Sequence, residues 1–173
     1  MLYQYLLPTE ANNYYQMIAN LSNKVSSKFL EITSPAFNQN AFIPEQYTCD
    51  GKNEAPVLIA NCIPVGTKSL AVIVDDPDAP VGTWVHWIAW NIRPNSIIMP
   101  NKIRCRQGMN DFGMHKYCGP CPPNGMHHYH FKVYALDSYL TDLNTNCTKY
   151  QLEKAMATHI LAFGELIGLY KRH

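Results

Sequence analysis

Asp76, Asp78, His86, His127 and Tyr129 are the side chains whose types and spacing best suit them to chemistry, with the backbone of Gly119-Pro120-Cys121-Pro122-Pro123 beside them. Imidazoles and a phenol donate hydrogen bonds, and a Gly/Pro loop exposes backbone N–H groups, a set suited to a phosphate or a carboxylate. The carboxylates look wrong for an anion. Their roles would be to keep the imidazoles cationic, to share a proton with the ligand, or to meet an ammonium on a zwitterionic one. Taken singly, Asp76 and Asp78 read as caps for the N–H groups of their own loop, and His86 as a satisfied core histidine. Together, at three separate strand ends, they point to a small polar pocket in apolar surroundings. Acid–base catalysis by Asp76 and His86 is the enzymatic alternative, and no evident nucleophile supports it, so binding without turnover is expected.

The elements that must position these groups are strands. Asp75-Asp76-Pro77-Asp78-Ala79-Pro80 joins two buried-looking strands, Ser69 to Asp75 and Trp84 to Ile92, through a loop that Pro77, Pro80 and Gly82 keep irregular. Strict alternation puts Leu70, Val72, Val74 and Asp76 on one face, and Trp84, His86, Ile88 and Trp90 on one face of the next strand. A third strand, Tyr129 to Leu136, turns Tyr129, Phe131, Val133 and Ala135 inward, with His127 on the same side.

The remaining chain supplies cover. Lys28 to Thr33 and Pro56 to Ala60 read as strands, with an irregular stretch from Ala36 to the turn-forming Tyr47-Thr48-Cys49-Asp50-Gly51 between them. Arg93 to Pro123, at about 30 residues, is too long for a structureless connection, and its turn chemistry predicts an ordered, functional loop. Thr148 and Gln151 form a capping box for a helix carrying Leu152, Ala155, Met156, His159, Ile160 and Phe163, with Gly164 as its stop. Leu166 to Tyr170 closes the chain as a strand. The pattern predicts a mainly β protein, an antiparallel β-sandwich with a C-terminal helix over residues 28–173. Residues 1–27 read as a loosely attached, tyrosine-rich extension with a short helix near Tyr14 to Leu21.

Composition bounds the partners. A chain of 173 residues with 47% hydrophobic residues and a formal charge of +1 forms one domain and gives no reason to expect nucleic acid. No apolar run approaches the roughly 18 to 20 residues of a membrane span. The start lacks a signal peptide's basic region, which predicts a cytoplasmic protein. In a reducing compartment the six cysteines are expected as thiols. Cys118-Gly119-Pro120-Cys121 matches a thioredoxin-type motif without its strand-to-helix context, so redox catalysis is not expected. A reversible disulfide of Cys118 with Cys121, or of Cys49 with Cys121, remains open. A zinc site from Cys118, Cys121, His115, His127, His128 and His130 is disfavoured by strand parity, and no cofactor is expected.

Asp76-Pro77-Asp78-Ala79-Pro80, Trp84-Val85-His86-Trp87, Asn110-Asp111-Phe112-Gly113, Gly119-Pro120-Cys121-Pro122-Pro123 and His127-His128-Tyr129 resemble, in order, the motifs of the phosphatidylethanolamine-binding protein family, especially its bacterial Raf-kinase-inhibitor-like members. The resemblance runs from about Ser34 to Tyr170. It implies a sandwich of antiparallel sheets with an anion pocket that accepts phosphate or phosphoryl headgroups, lined by Asp76, His86 and His127, with Asp78, Pro80, Tyr129 and the Gly119 to Pro123 loop beside them. It also implies binding or regulation rather than catalysis, with a small anionic ligand and, as the alternative, a kinase or protease partner. His128 stands where arginine is usual, which removes a fixed bidentate donor, and Cys118 stands where glycine is common.

Overall fold

The computed structural model describes residues 29–95, 97–100 and 104–172; the expected extension over 1–27 lies outside them. In chain order the elements are β1 (Glu31–Thr33), β2 (Ala41–Phe42), a 3-10 turn (Glu45–Tyr47), β3 (Leu58–Asn61), β4 (Ser69–Asp76), β5 (Trp84–Ile92), β6 (Ile97–Ile98), β7 (Arg106–Gln107), β8 (His127–Leu136), α1 (Lys149–Met156) and β9 (Ile160–Tyr170). They form a six-stranded sheet ordered β2-β9-β8-β4-β5-β7 and a three-stranded sheet ordered β1-β3-β6. Pairing is antiparallel except where β2 runs parallel to β9 and Phe29 bridges Phe163.

Burial explains the layering. Every residue of β4 is buried, as a central strand covered on both faces requires. On one face Leu70, Val72 and Val74 pack with Phe131 and Val133 of β8 and with Ile32, Leu58 and Ile98 of the small sheet. On the other, Ala71 and Ile73 pack with Ile88, Trp90 and the α1 residues Leu152 and Met156. The fold is therefore mainly β, two sheets face to face with one helix on the outer side. Fully burying a side chain such as Phe131 or Leu58 stabilises by roughly 1.5–3 kcal/mol.

Three expectations are corrected. Strict alternation along β5 fails, because Val74 pairs with Trp87 but Asp75 pairs with Val85, leaving His86 as an extra residue in a bulge. A bulge moves the side chains that follow it to the opposite face, here as far as the second register shift between Ala89 and Ile92. Trp87 and Ala89 thus join the first core, Ile88 and Trp90 the second, and His86 does not share a face with them. The helix is also shorter than its apolar spacing predicts. Thr148 and Gln151 do form the capping box, but α1 ends at Met156, and Ile160 to Tyr170 pairs with β8 along the whole of that strand. A complete ladder of hydrogen bonds to a neighbouring strand outweighs a local helical period. Gly164 is no helix stop; it lies inside β9, where a Cβ would meet the Leu30 carbonyl oxygen at 2.2 Å. Finally, the cysteines are not all thiols. Cys49 and Cys121 form a disulfide, while Cys62, Cys105, Cys118 and Cys147 are free.

Candidate functional site

β4 lies between β5 and β8 in the large sheet, so the end of β4 and the starts of β5 and β8 fall side by side. That places Asp76, His86, His127 and Tyr129 around one cavity of about 320 Å³, which Ala79, Pro80, Val81, Trp84, Phe112, Cys121, Pro122 and Pro123 complete. The volume suits a small ligand group.

His127 and Asp76 form one polar side of the cavity. His127 Nδ1 lies 2.7 Å from Asp76 Oδ2, and its Nε2 lies 3.1 Å from the Asn124 carbonyl oxygen. Both ring nitrogens face oxygen atoms, so the ring is held at both ends. Asp76 Oδ1 also accepts from Asp78 N at 2.9 Å, so the carboxylate caps its own loop as well as holding the histidine. Both side chains are buried.

His86 is set differently. Its Nδ1 donates to the Cys118 carbonyl oxygen at 2.5 Å, which fixes the ring and leaves Nε2 as its remaining polar atom. Burial pushes its pKa below the ordinary histidine value, against the opposing pull of the Cys118 carbonyl and the Asp76 carboxylate. A neutral ring therefore stands opposite a paired one.

Tyr129 supplies the most telling atom. It is fully buried, it meets His86 edge-on with centroids 5.2 Å apart, and its hydroxyl completes no hydrogen bond among the described residues. Asp76 and the backbone of Cys121 are the polar groups nearest to act on it. Burial, then the Asp76 charge, push its pKa up. A buried hydroxyl left without a partner costs about 1–3 kcal/mol. The other such group, Trp90 Nε1, belongs to the core beneath α1, away from this cavity.

The expected site residues divide. Asp76, Pro80, His86, Cys121, Pro123, His127 and Tyr129 line the cavity; Asp78 and Gly119 do not. Asp78 Oδ2 instead accepts from His128 N at 2.8 Å and His128 Nδ1 at 2.7 Å, bonds that hold its pKa below the usual carboxylate range. Gly119 donates its N–H to Asn53 Oδ1 at 2.6 Å, and a Cβ there would meet the Tyr47 carbonyl oxygen at 2.2 Å. It is glycine because the backbone of the 45–51 turn presses on it. The disulfide occupies Cys121, so the Cys118–Cys121 pairing is not formed. The zinc set is dispersed: His127, His128 and His130 each face a carboxylate of their own, Asp76, Asp78 and Glu165.

Sequence reasoning missed the apolar wall and the hub that supports it. Phe112 stands edge-on to both Trp84 and His86, with centroids 5.5 and 5.3 Å away. Buried Asn110 holds it there, donating to the carbonyls of His86 and Lys116 and accepting from the N–H groups of Phe112 and Met114. Asp111 Oδ2 accepts from Val85 N at 2.7 Å. The signal was present in Asn110-Asp111-Phe112-Gly113 as a tight turn, but nothing in its spacing says which strand it clasps. A larger depression of about 530 Å³ lies at the far end of β5, between Asn91, Arg93, Asn95, Arg104 and Tyr139. Its arginines are exposed.

The model of the phosphatidylethanolamine-binding protein family matches residues 33–171. The chain belongs to this family. Among relatives, a UPF0098 protein of Pyrococcus abyssi is 51% identical over 150 residues, covering 80% of this chain and 84% of its own length. The crystal structure of CT736, a phosphatidylethanolamine-binding protein homologue of Chlamydia trachomatis, superposes with a TM-score of 0.80 at 41% identity, over 85% of this chain and all of that one. Escherichia coli YbcL, described as a member of the mammalian PEBP family, gives a TM-score of 0.76 at 30% identity, over 83% and 99% of the two chains. The cavity is thus set in the fold of the phosphatidylethanolamine-binding proteins, and no helix of the described residues is long and apolar enough to cross a membrane.

Proposed function

We propose that this protein reversibly binds a phosphoryl or carboxylate group in the Asp76–His86–His127–Tyr129 cavity, without chemical turnover. The observation that carries this reading is the grouping of His86, His127 and Asp76 around one small cavity, with His86 fixed through Nδ1 on the Cys118 carbonyl so that Nε2 is its remaining polar atom. His86 is able to take up a proton as an anion enters, and His127, held by Asp76, borders the same cavity. Against turnover, the lining offers no serine or threonine, and the sulfur of Cys121 is bonded to Cys49.

Calorimetric or NMR titration with inorganic phosphate, phosphoethanolamine and acetate tests the reading, beside His86→Ala, His127→Ala and Tyr129→Phe. Saturable binding lost in the folded variants is expected. A folded wild-type protein that binds none of the three would sink it. A second reading, inhibition of a kinase or protease that inserts an acidic or phosphorylated side chain, rests on the exposed apolar rim of Val81 and Phe112. A stoichiometric effect on such an enzyme distinguishes the two.

A further inference from the structure

The cavity has one wall whose attachment differs from the rest. Cys121, Pro122 and Pro123 line it, and two successive prolines have no N–H with which to join a neighbouring strand. Cys121 is instead tied covalently to Cys49, 72 positions earlier in the sequence, with Cα atoms 5.4 Å apart. The Cys49 side of that bond is firmly held. Asp50 accepts from the Tyr170 hydroxyl and pairs with Arg172, Tyr117 donates to the Tyr47 carbonyl, and Cys49 N donates to the Pro120 carbonyl, which holds the loop as far as residue 120. Beyond Cys121 the next tie is the Asn124 carbonyl on His127 Nε2, at 3.1 Å, which is itself a cavity contact.

The bond also lies outside the core, at partly exposed positions. Neither cysteine belongs to either hydrophobic core, and both are only partly buried. Small domains depend on disulfides when they cannot build a core; this one builds two. Cys118, three residues away, has its backbone bonded at both N and O to His86 and its sulfur 3.9 Å from Met114 Sδ. Its backbone is thus held by bonds that do not involve Cys121.

Resting on the anion-binding reading, we infer that the Cys49–Cys121 disulfide is a reversible staple through which a dithiol reductant controls the cavity. When oxidised, it holds the 121–123 wall against the site. One thiolate of the reductant attacks a sulfur of the bond, forming a mixed disulfide and releasing one protein thiolate; the second thiolate of the reductant then displaces the other. Two electrons and two protons pass to the protein, leaving two cysteine thiols and the reductant's own disulfide. The freed wall must then be ordered anew each time a ligand binds, so affinity falls.

The test compares oxidised protein, dithiothreitol-reduced protein and Cys49→Ser, which breaks the staple without altering a cavity residue, with Cys62→Ser as a control at an exposed free thiol. Circular dichroism reports the fold, amide hydrogen exchange reports Cys121 and Asn124, and titration with inorganic phosphate reports the site. Reduction and Cys49→Ser are each expected to leave the fold intact, to speed exchange at both amides about tenfold and to raise the phosphate Kd about tenfold. Reoxidation restores the wild-type values, and Cys62→Ser matches wild type. Global unfolding on reduction and in Cys49→Ser makes the bond purely structural and overturns the inference. So does unchanged exchange, or faster exchange with an unchanged Kd. If oxidised protein binds no phosphate the anion reading fails by itself, and the exchange data still decide whether the wall is stapled.

Discussion

Asp75 and Asp76 are neighbours on β4 and point to opposite faces of the large sheet: Lys132 and Lys149 hold the Asp75 carboxylate, whereas His127 holds that of Asp76. The first pair of lysines ties α1 and β8 to the outer side of β4. The second contact belongs to the cavity. Two identical residue types one position apart therefore face, separately, a pair of lysines and the cavity.

This separation predicts different consequences. Replacing both lysines, as Lys132→Met with Lys149→Met, leaves a fully buried carboxylate without its cations, at a cost of about 3–5 kcal/mol. Asp75→Asn costs less, because the lysines it abandons are about a fifth exposed and turn to water. Urea titration ranks the two, and phosphate affinity is expected to stay within twofold in Asp75→Asn. A tenfold loss of affinity there would show that the two faces are not independent.

Asp76→Asn reports the other face. It keeps an acceptor for Asp78 N and removes the charge that orients His127. A fall of about tenfold in phosphate affinity is expected, with about 1–3 kcal/mol of stability lost. Tighter phosphate binding by Asp76→Asn would mean that the carboxylate only repels the ligand, and the holding role would be abandoned.

Tyr129→Phe separates a binding atom from a structural one. The hydroxyl has no partner in the free protein, so its removal relieves an unsatisfied buried group; stability is expected to stay level or rise by about 1 kcal/mol. Phosphate affinity is expected to drop about tenfold in the same variant. Destabilisation by more than 2 kcal/mol, measured by thermal and urea unfolding, would reveal a hydrogen bond that the fold depends on.

Much of this architecture was legible because the side chains that carry it are strongly typed. Val72, Val74, Phe131 and Val133 alternate as strands must, and the Thr148–Gln151 box marks the start of α1 correctly. What failed did so through pairing. The bulge at His86 lies where β5 meets β4 and clasps the Asn110–Asp111 turn, which is more than twenty residues further along the chain. The helical period through His159, Ile160 and Phe163 lost to the ladder with β8. Asp78 has the same residue type and loop as Asp76, and only the neighbouring His128 decides that it faces outward. Cys121 could pair with Cys118 or Cys49 on sequence grounds, and the approach of the 45–51 turn settles it.

Gly164 turns one of those failures into a measurement. Its missing side chain admits the Leu30 carbonyl, and a Cβ would also lie 2.8 Å from Ile32 Cγ1. Backbone on one side and a packed core residue on the other leave nothing flexible to yield. Gly164→Ala is expected to destabilise by about 1–3 kcal/mol, although alanine is the better helix former. A stabilised Gly164→Ala variant in urea titration would restore the helical reading of this segment.

His86 links the cavity to pH. In the free protein burial lowers its pKa below the ordinary value of about 6.5, with Asp76, His127 and Tyr129 as its titratable neighbours. The unfolded chain then binds more protons at His86 than the folded one, so its contribution to stability is complete above about pH 6.5 and is lost as pH falls through the lowered folded value. An anion in the cavity reverses the balance by favouring the charged ring. Sulfate, whose charge is fixed from pH 5 to 8, is expected to raise the His86 pKa and to bind more tightly as pH falls, taking up a proton on binding. NMR titration of the His86 ring with and without saturating sulfate measures this directly. A His86 pKa that sulfate leaves unmoved, while sulfate binding shifts the signals of His127 and Tyr129, would place the anion on the His127 side alone and remove His86 from recognition.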